Sequence, residues 1–209
     1  MCTDVGLQCS GASRMQDGNT TNEDAFWIRR PEGDAAVVCD GAGRAQRCAA
    51  SVVNLFSRHL TSGAMDVDRI PSWRSWLKTM DATLLGGPQT TFVGFAVREG
   101  QIYGACAGDS RAYLVGEAGV RILTEDSSPR LGSGRVEPTA IHVRLAPRDV
   151  VLLMSDGAWT PLSMAAIQRC VAGCAIKHPS DLPPALLDLA GAKGRGDDMT
   201  VVTLTTRGK

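Results

Sequence analysis

Two periods of apolar positions run through the chain. The short unbroken runs Ala35-Ala36-Val37-Val38-Cys39 and Val150-Val151-Leu152-Leu153-Met154 predict strands buried on both faces. Further strand patterns cover residues 24–30, 91–98, 101–107, 111–115, 120–124, 141–145 and 199–205, with a weak one at 5–9. Turn residues at Glu99-Gly100 and Gly116-Glu117-Ala118-Gly119 predict two hairpins. Ala146-Pro147-Arg148-Asp149 predicts a third, joining 141–145 to the strand that starts at Val150. Between the strands the period lengthens. Ala49, Val52, Val53, Phe56 and Leu60 form one apolar stripe of a helix over 44–60. Trp73, Trp76, Leu77, Met80 and Leu84 form that of a second helix, N-capped by Ser72, with both tryptophans in the core. Helices over 163–171 and 180–190 follow, capped by Ser163 and Ser180. Strands, a helix pair, a run of strands, a second helix pair and a last strand are segregated runs. Such an order favours α+β layering in one domain over an alternating parallel sheet.

Composition narrows the function classes. The formal net charge is zero and the pI about 6.8, which argues against nucleic acid or an anionic membrane as the main partner. No apolar run reaches the ~18–20 residues of a membrane helix. The start, Met1-Cys2-Thr3-Asp4-Val5, lacks the basic and apolar regions of a secretory signal. Seven cysteines, with Cys39 and Cys106 inside apolar strands, read as reduced core thiols, which fits the cytoplasm.

The candidate chemistry is acidic. Ala35–Cys39 leads into Asp40-Gly41-Ala42-Gly43, which places Asp40 where the strand leaves the core. The second run repeats the pattern and ends on Ser155-Asp156-Gly157. Asn22-Glu23-Asp24 precedes one strand, and Gly196-Asp197-Asp198 precedes the last. A carboxylate at the mouth of an apolar core needs a partner, and four acidic sites at strand edges suggest one shared cluster. Carboxylates gathered that closely repel and call for a cation, and an all-oxygen donor set selects Mg²⁺ or Mn²⁺.

Five strings in order, Asn22-Glu23-Asp24-Ala25, Val38-Cys39-Asp40-Gly41-Ala42-Gly43, Gly108-Asp109-Ser110-Arg111, Leu153-Met154-Ser155-Asp156-Gly157 and Gly196-Asp197-Asp198-Met199-Thr200, give the chain a specific resemblance. It resembles the type 2C metal-dependent protein phosphatases (PPM), in a divergent bacterial branch, over about residues 10–206. The resemblance implies a four-layer α-β-β-α sandwich, two antiparallel sheets face to face with a helix pair outside each. It also implies hydrolysis of phosphoserine and phosphothreonine in proteins by water activated between two Mn²⁺ or Mg²⁺ ions. Asp40 would bridge the ions and the Gly41 carbonyl would complete one shell. Glu23 or Asp24, with Asp156 and Asp197, would supply the remaining oxygens. Asp109 matches an aspartate that helps hold a third ion in bacterial members, and reads equally as a turn residue; Arg111 reads as a structural salt-bridge partner. A cognate Ser/Thr kinase or its targets would be the partners.

The substrate-binding shell departs from the family pattern. Asn19 stands where many members carry a phosphate-binding arginine, and Ala42 where some carry a proton-donating histidine. Asp126-Ser127-Ser128 replaces the usual Asp-His-Ser, and the segment before Leu131-Gly132 is short. Arg14, and after it Arg44, are the candidates for holding the substrate phosphate. These losses also motivate a rival function, a catalytically weak or inactive PPM-fold module that recognises a kinase or other phosphoprotein.

Overall fold

A computed structural model describes residues 7–42, 46–124, 129–174, 178–194 and 196–206. The first sheet has the strand order β1 (Leu7–Arg14), β11 (Met199–Thr206), β10 (Val150–Met154), β7 (Arg111–Gly116), β8 (Gly119–Ile122). The second runs β2 (Asp24–Ile28), β3 (Ala35–Ala42), β5 (Phe92–Arg98), β6 (Gln101–Ala107), β9 (Thr139–Arg144), with the two-residue β4 (Gln89–Thr90) beside the end of β3. Every strand pair is antiparallel. Helices α1 (Gln46–Thr61) and α2 (Ile70–Thr83) cover the second sheet. The one-turn α3 (Asp156–Trp159), α4 (Met164–Cys174) and α5 (Leu182–Gly191) cover the first. The layers are helix, sheet, sheet, helix, as the resemblance implied.

Three apolar layers hold this stack together. Between the sheets, Val38, Val93 and Phe95 meet Val151, Leu153 and Val202. Alternate residues of the same strands point outward: Val37 and Cys39 pack on Phe56, Trp73 and Leu77 of α1 and α2. On the other side Leu152, Met154 and Val201 pack on Leu182, Leu186 and Leu187. This explains the unbroken apolar runs, because a strand between a sheet and a helix pair has no solvent face. Trp73 is fully buried and donates its indole N–H to the Val67 carbonyl at 2.9 Å.

The structure departs from the sequence expectation at several joints. Residues 141–145 and the strand from Val150 are not a hairpin. β9 pairs with β6 in one sheet and β10 with β11 and β7 in the other, so the turn between them crosses the sandwich. The weak N-terminal pattern becomes the eight-residue β1, fixed over its whole length by β11. Ser72 does not cap α2: the helix starts at Ile70 with Pro71 in its first turn, where a missing N–H costs nothing. Ser180 sits in a 3₁₀ turn, Pro179–Asp181, that leads into α5. Ser163 does cap α4, its hydroxyl accepting the Ala166 amide at 3.3 Å. Strand β3 also runs past Cys39, because Asp40 pairs with Asp24 of β2, and Gly41 and Ala42 pair with β4. Asp40 therefore lies within a strand rather than at its end.

Among the described residues, no helix is long and apolar enough to cross a membrane.

Candidate active site

Antiparallel strands bring chain-distant ends to one edge. The start of β2, the end of β3, the link from β6 to β7, the end of β10 and the start of β11 all reach the same end of the sandwich. That edge collects Asp24, Asp40, Asp109, Asp156 and Asp197. Carboxylate oxygens of Asp40, Asp109 and Asp156 lie within 4.8 Å of one another.

Asp40 is held through its backbone. Its N–H donates to the Thr91 hydroxyl at 2.9 Å, and its carbonyl accepts from the Thr91 amide at 2.8 Å and the Thr90 hydroxyl at 2.9 Å. The side chain is thereby left free to face the cluster. Asp24, its register partner, accepts the Ser155 hydroxyl on Oδ2 at 2.7 Å. Ser155 in turn accepts the Thr200 amide at 2.8 Å and is fully buried. It therefore braces β2 against β10 and β11 and is no candidate nucleophile.

Asp156 opens the short helix α3, so its carboxylate lies at a helix start. Gly157 permits a close approach there: a Cβ at this position would collide with the Asp198 carbonyl and come to 3.0 Å from Asp197 Cβ. Gly157→Ala is expected to push the 197–198 backbone away and weaken divalent-ion binding by about tenfold or more, roughly 1.4 kcal/mol. Calorimetric titration with Mn²⁺ on the folded variant checks it.

Asp197 is exposed and accepts the amide of its neighbour Asp198 at 2.8 Å. Asp198 has another task. It is buried and accepts the amides of Gln16 at 2.6 Å and Glu23 at 2.5 Å, which ties the β1–β2 connection down beside the cluster. Glu23 also accepts the Gly41 amide on its carbonyl, at 3.1 Å. Asp109 is positioned by Trp159, whose indole N–H donates to its carbonyl at 3.0 Å. Arg111 lies over the same indole, 3.4 Å from the ring centroid, a stacking contact that sequence reasoning did not foresee.

The electrostatics record the crowding. Burial pushes the Asp40 carboxyl up to about 8, and the charges of Asp24 and Asp156 add to it while Arg130 opposes. Asp24 is pushed up to about 7, again by burial first, against the Ser155 and Thr200 hydroxyls that favour its ionised form. Asp156 is raised by burial and by Asp109 and Asp197. Asp24 Oδ1 and Asp156 Oδ1 are buried and accept no hydrogen bond from the described residues. Orphaned carboxylate oxygens within a cluster of like charges are what a hard divalent cation satisfies, so the donor set fits Mg²⁺ or Mn²⁺.

Of the two arginines suggested by sequence, Arg14 is not brought here. Strand β1 turns Arg14 to its outer face, where it forms an ion pair with Asp188 at 2.6 Å and reaches the Leu187 carbonyl of α5. Arg44 lies outside the described residues. Among the described residues, Arg130 stands at the cluster, with Nη2 3.1 Å from both Asp109 carboxylate oxygens and 3.4 Å from Asp40 Oδ2. Sequence reasoning missed it because it stands in a short loop with no motif of its own. Its place directly before Leu131-Gly132, where the segment is trimmed, was the one available signal.

The family model described as stage II sporulation protein E (SpoIIE) matches residues 33–207. No curated protein sequence matches the chain at a significant level. Solved structures share the fold. The catalytic domain of the serine/threonine protein phosphatase PstP in complex with two manganese ions superposes with a TM-score of 0.79 at 20% identity, covering 97% of this chain and 99% of that one. PppA, a key regulatory component of T6SS in Pseudomonas aeruginosa, gives 0.80 at 20% identity over 96% and 97%. The S. agalactiae serine/threonine phosphatase gives 0.78 at 21% over 95% and 98%. With the family model spanning most of the chain, the chain belongs to the SpoIIE family, and its layered fold is that of these solved phosphatase structures.

Proposed function

We propose that this chain hydrolyses phosphoserine and phosphothreonine in proteins, with residues 1–209 acting as one phosphatase domain. The observation that carries the reading is the convergence of Asp40, Asp109 and Asp156 around buried, unsatisfied carboxylate oxygens. Asp40, the Gly41 carbonyl, Asp156 and Asp197 would hold two divalent cations, with Asp24 and Glu23 completing the set and Asp109 serving a third. Bound there, Mn²⁺ or Mg²⁺ would supply Lewis-acid charge and an acidified water. The manganese in the PstP relative supports that choice of ion.

The chain's own residues keep the donors aimed. Thr90 and Thr91 fix Asp40, Ser155 fixes Asp24, and Trp159 fixes Asp109. The Ser155 hydroxyl, beside the cluster, is fully buried and spent on Asp24 and the Thr200 amide, which favours attack by water over a covalent enzyme intermediate. Phosphorylated proteins, a cognate Ser/Thr kinase or its targets among them, are the substrates this reading implies.

Hydrolysis of para-nitrophenyl phosphate and of a phosphothreonine peptide is expected with Mn²⁺ or Mg²⁺, and none after dialysis into excess EDTA. Turnover that survives the chelator overturns the metal-dependent reading. A metal-loaded protein that binds the phosphopeptide yet releases no phosphate favours the non-catalytic recognition module.

A further inference from the structure

Arg130 is held in two contrasting ways. Its backbone is rigidly placed. Leu131, the next residue, is fully buried and exchanges two hydrogen bonds with Thr90, the residue whose hydroxyl also binds the Asp40 carbonyl. Beyond it, buried Asp81 of α2 accepts three amides of the same loop, Gly132 at 2.8 Å and Gly134 at 3.0 Å on Oδ1, and Val136 at 3.0 Å on Oδ2. Gly132 and Gly134 take positive φ, +94° and +71°, which lets the backbone curl around that single carboxylate. Asp81 is thus a peg on which the loop hangs.

The guanidinium, in contrast, is loosely held. Nη2 alone serves Asp40, Asp109 and Asp156, at 3.1 to 4.0 Å, and no described carboxylate takes the two-pronged grip that a structural arginine favours. No described residue accepts a hydrogen bond from Nη1 or Nε. The side chain keeps 24% of its surface exposed, at the mouth of the cluster. A rigid root, an under-used planar fork and an open approach are the attributes of a site for a tetrahedral dianion.

We infer that Arg130 seats the phosphoryl group of the substrate and that Asp81, from the outer helix layer, is the positioning residue that fixes the Arg130 loop. This rests on the hydrolase reading above and supplies the guanidinium absent at Asn19. With cations held by the carboxylates, the guanidinium would no longer be needed as their counter-charge, and its fork would be free to donate to phosphate oxygens.

The test uses Mn²⁺-loaded wild type, Arg130→Ala, Arg130→Lys, Asp81→Asn and the Ala/Asn double variant, with melting temperatures confirming that each is folded. Arg130→Ala is expected to raise KM for a phosphothreonine peptide by about tenfold or more, with a smaller change in kcat. The inhibition constant of inorganic phosphate should rise in parallel, and Arg130→Lys should recover only part of both. Asp81→Asn is expected to raise KM in the wild-type background and to add nothing when Arg130 is already alanine. An Arg130→Ala variant that matches wild type in KM and phosphate inhibition, while binding Mn²⁺ more tightly, makes Arg130 only a counter-ion of the carboxylates and overturns the proposal. Equal effects of Asp81→Asn in both backgrounds overturn its positioning role. Should wild type release no phosphate from any ester, the hydrolase reading falls. Calorimetric binding of inorganic phosphate to metal-loaded wild type and Arg130→Ala then still decides the seat.

Discussion

Asp40→Ala is expected to lower turnover more than about a hundredfold, roughly 2.7 kcal/mol of barrier, without unfolding the protein. The backbone of Asp40 is held by Thr90 and Thr91 and by its place between β2 and β4, none of which depends on the carboxylate. The side chain costs stability in the absence of a cation, since burial and the neighbouring charges of Asp24 and Asp156 disfavour its ionised form. Its removal should leave the melting temperature of the metal-free protein unchanged or higher. The stabilisation that added Mn²⁺ gives wild type should disappear. Asp156→Ala should behave alike in turnover. A variant that keeps more than about a tenth of the wild-type rate excludes its aspartate from the metal site, because losing a shared ligand costs far more than the corresponding ~1.4 kcal/mol.

The second large effect is the dependence of stability and metal affinity on pH. Asp24 and Asp40 have folded-state values of about 7 and about 8 against 3.8 for an unperturbed aspartate. Both shifts are upward, so the unfolded chain gives up these protons first. Their contribution to stability is fully present below about pH 4 and is lost as pH rises through 7 to 8, on the order of a few kcal/mol per carboxylate. Melting temperatures of metal-free protein should therefore fall between pH 5 and 8 relative to an Asp24→Asn variant. A divalent ion reverses the sign, because it binds the ionised carboxylates and displaces their protons. Mn²⁺ affinity should climb steeply from about pH 6 to 8 and then level off. Titrations in buffers of different ionisation enthalpy would count the protons released; a count of zero at pH 6 removes this account.

Of the fold, α+β layering with two helix pairs was legible in local patterns, whereas the four-layer order came with the family resemblance. Ala35–Cys39 and Val150–Met154 have no polar face, and the stripes through Phe56 and through Trp73 have only one apolar side, so the strands had to be covered on both faces; the structure supplies a sheet on one and helices on the other. Sheet membership was not legible. Ala146-Pro147-Arg148-Asp149 has the composition of a hairpin turn, yet it carries the chain from one sheet to the other. Nothing in four residues records which distant strand wins the pairing. The helix starts at Ile70 and Leu182 were misjudged for a related reason: a proline in the first turn and packing of the apolar face outweighed the serines nearby.

By itself the sequence determined the acidic chemistry at Asp40 and Asp156, each closing an unbroken apolar run on Asp-Gly; the family resemblance added Asp109, and the structure brings these three to one place. Their environment came only from the tertiary structure. The Asp24–Asp40 register, the Ser155 hydroxyl between sheets and the Asp198 carboxylate under the β1–β2 connection each join residues more than ten positions apart. The cation at the cluster was decided the same way. Arg14 and Arg130 are chemically alike, and what separates them is that β1 packs the first against Asp188 while Thr90 and Asp81 hang the loop of the second over the carboxylates. A side chain's type is written at its own position, but the field it sits in is the sum over neighbours that folding alone assembles.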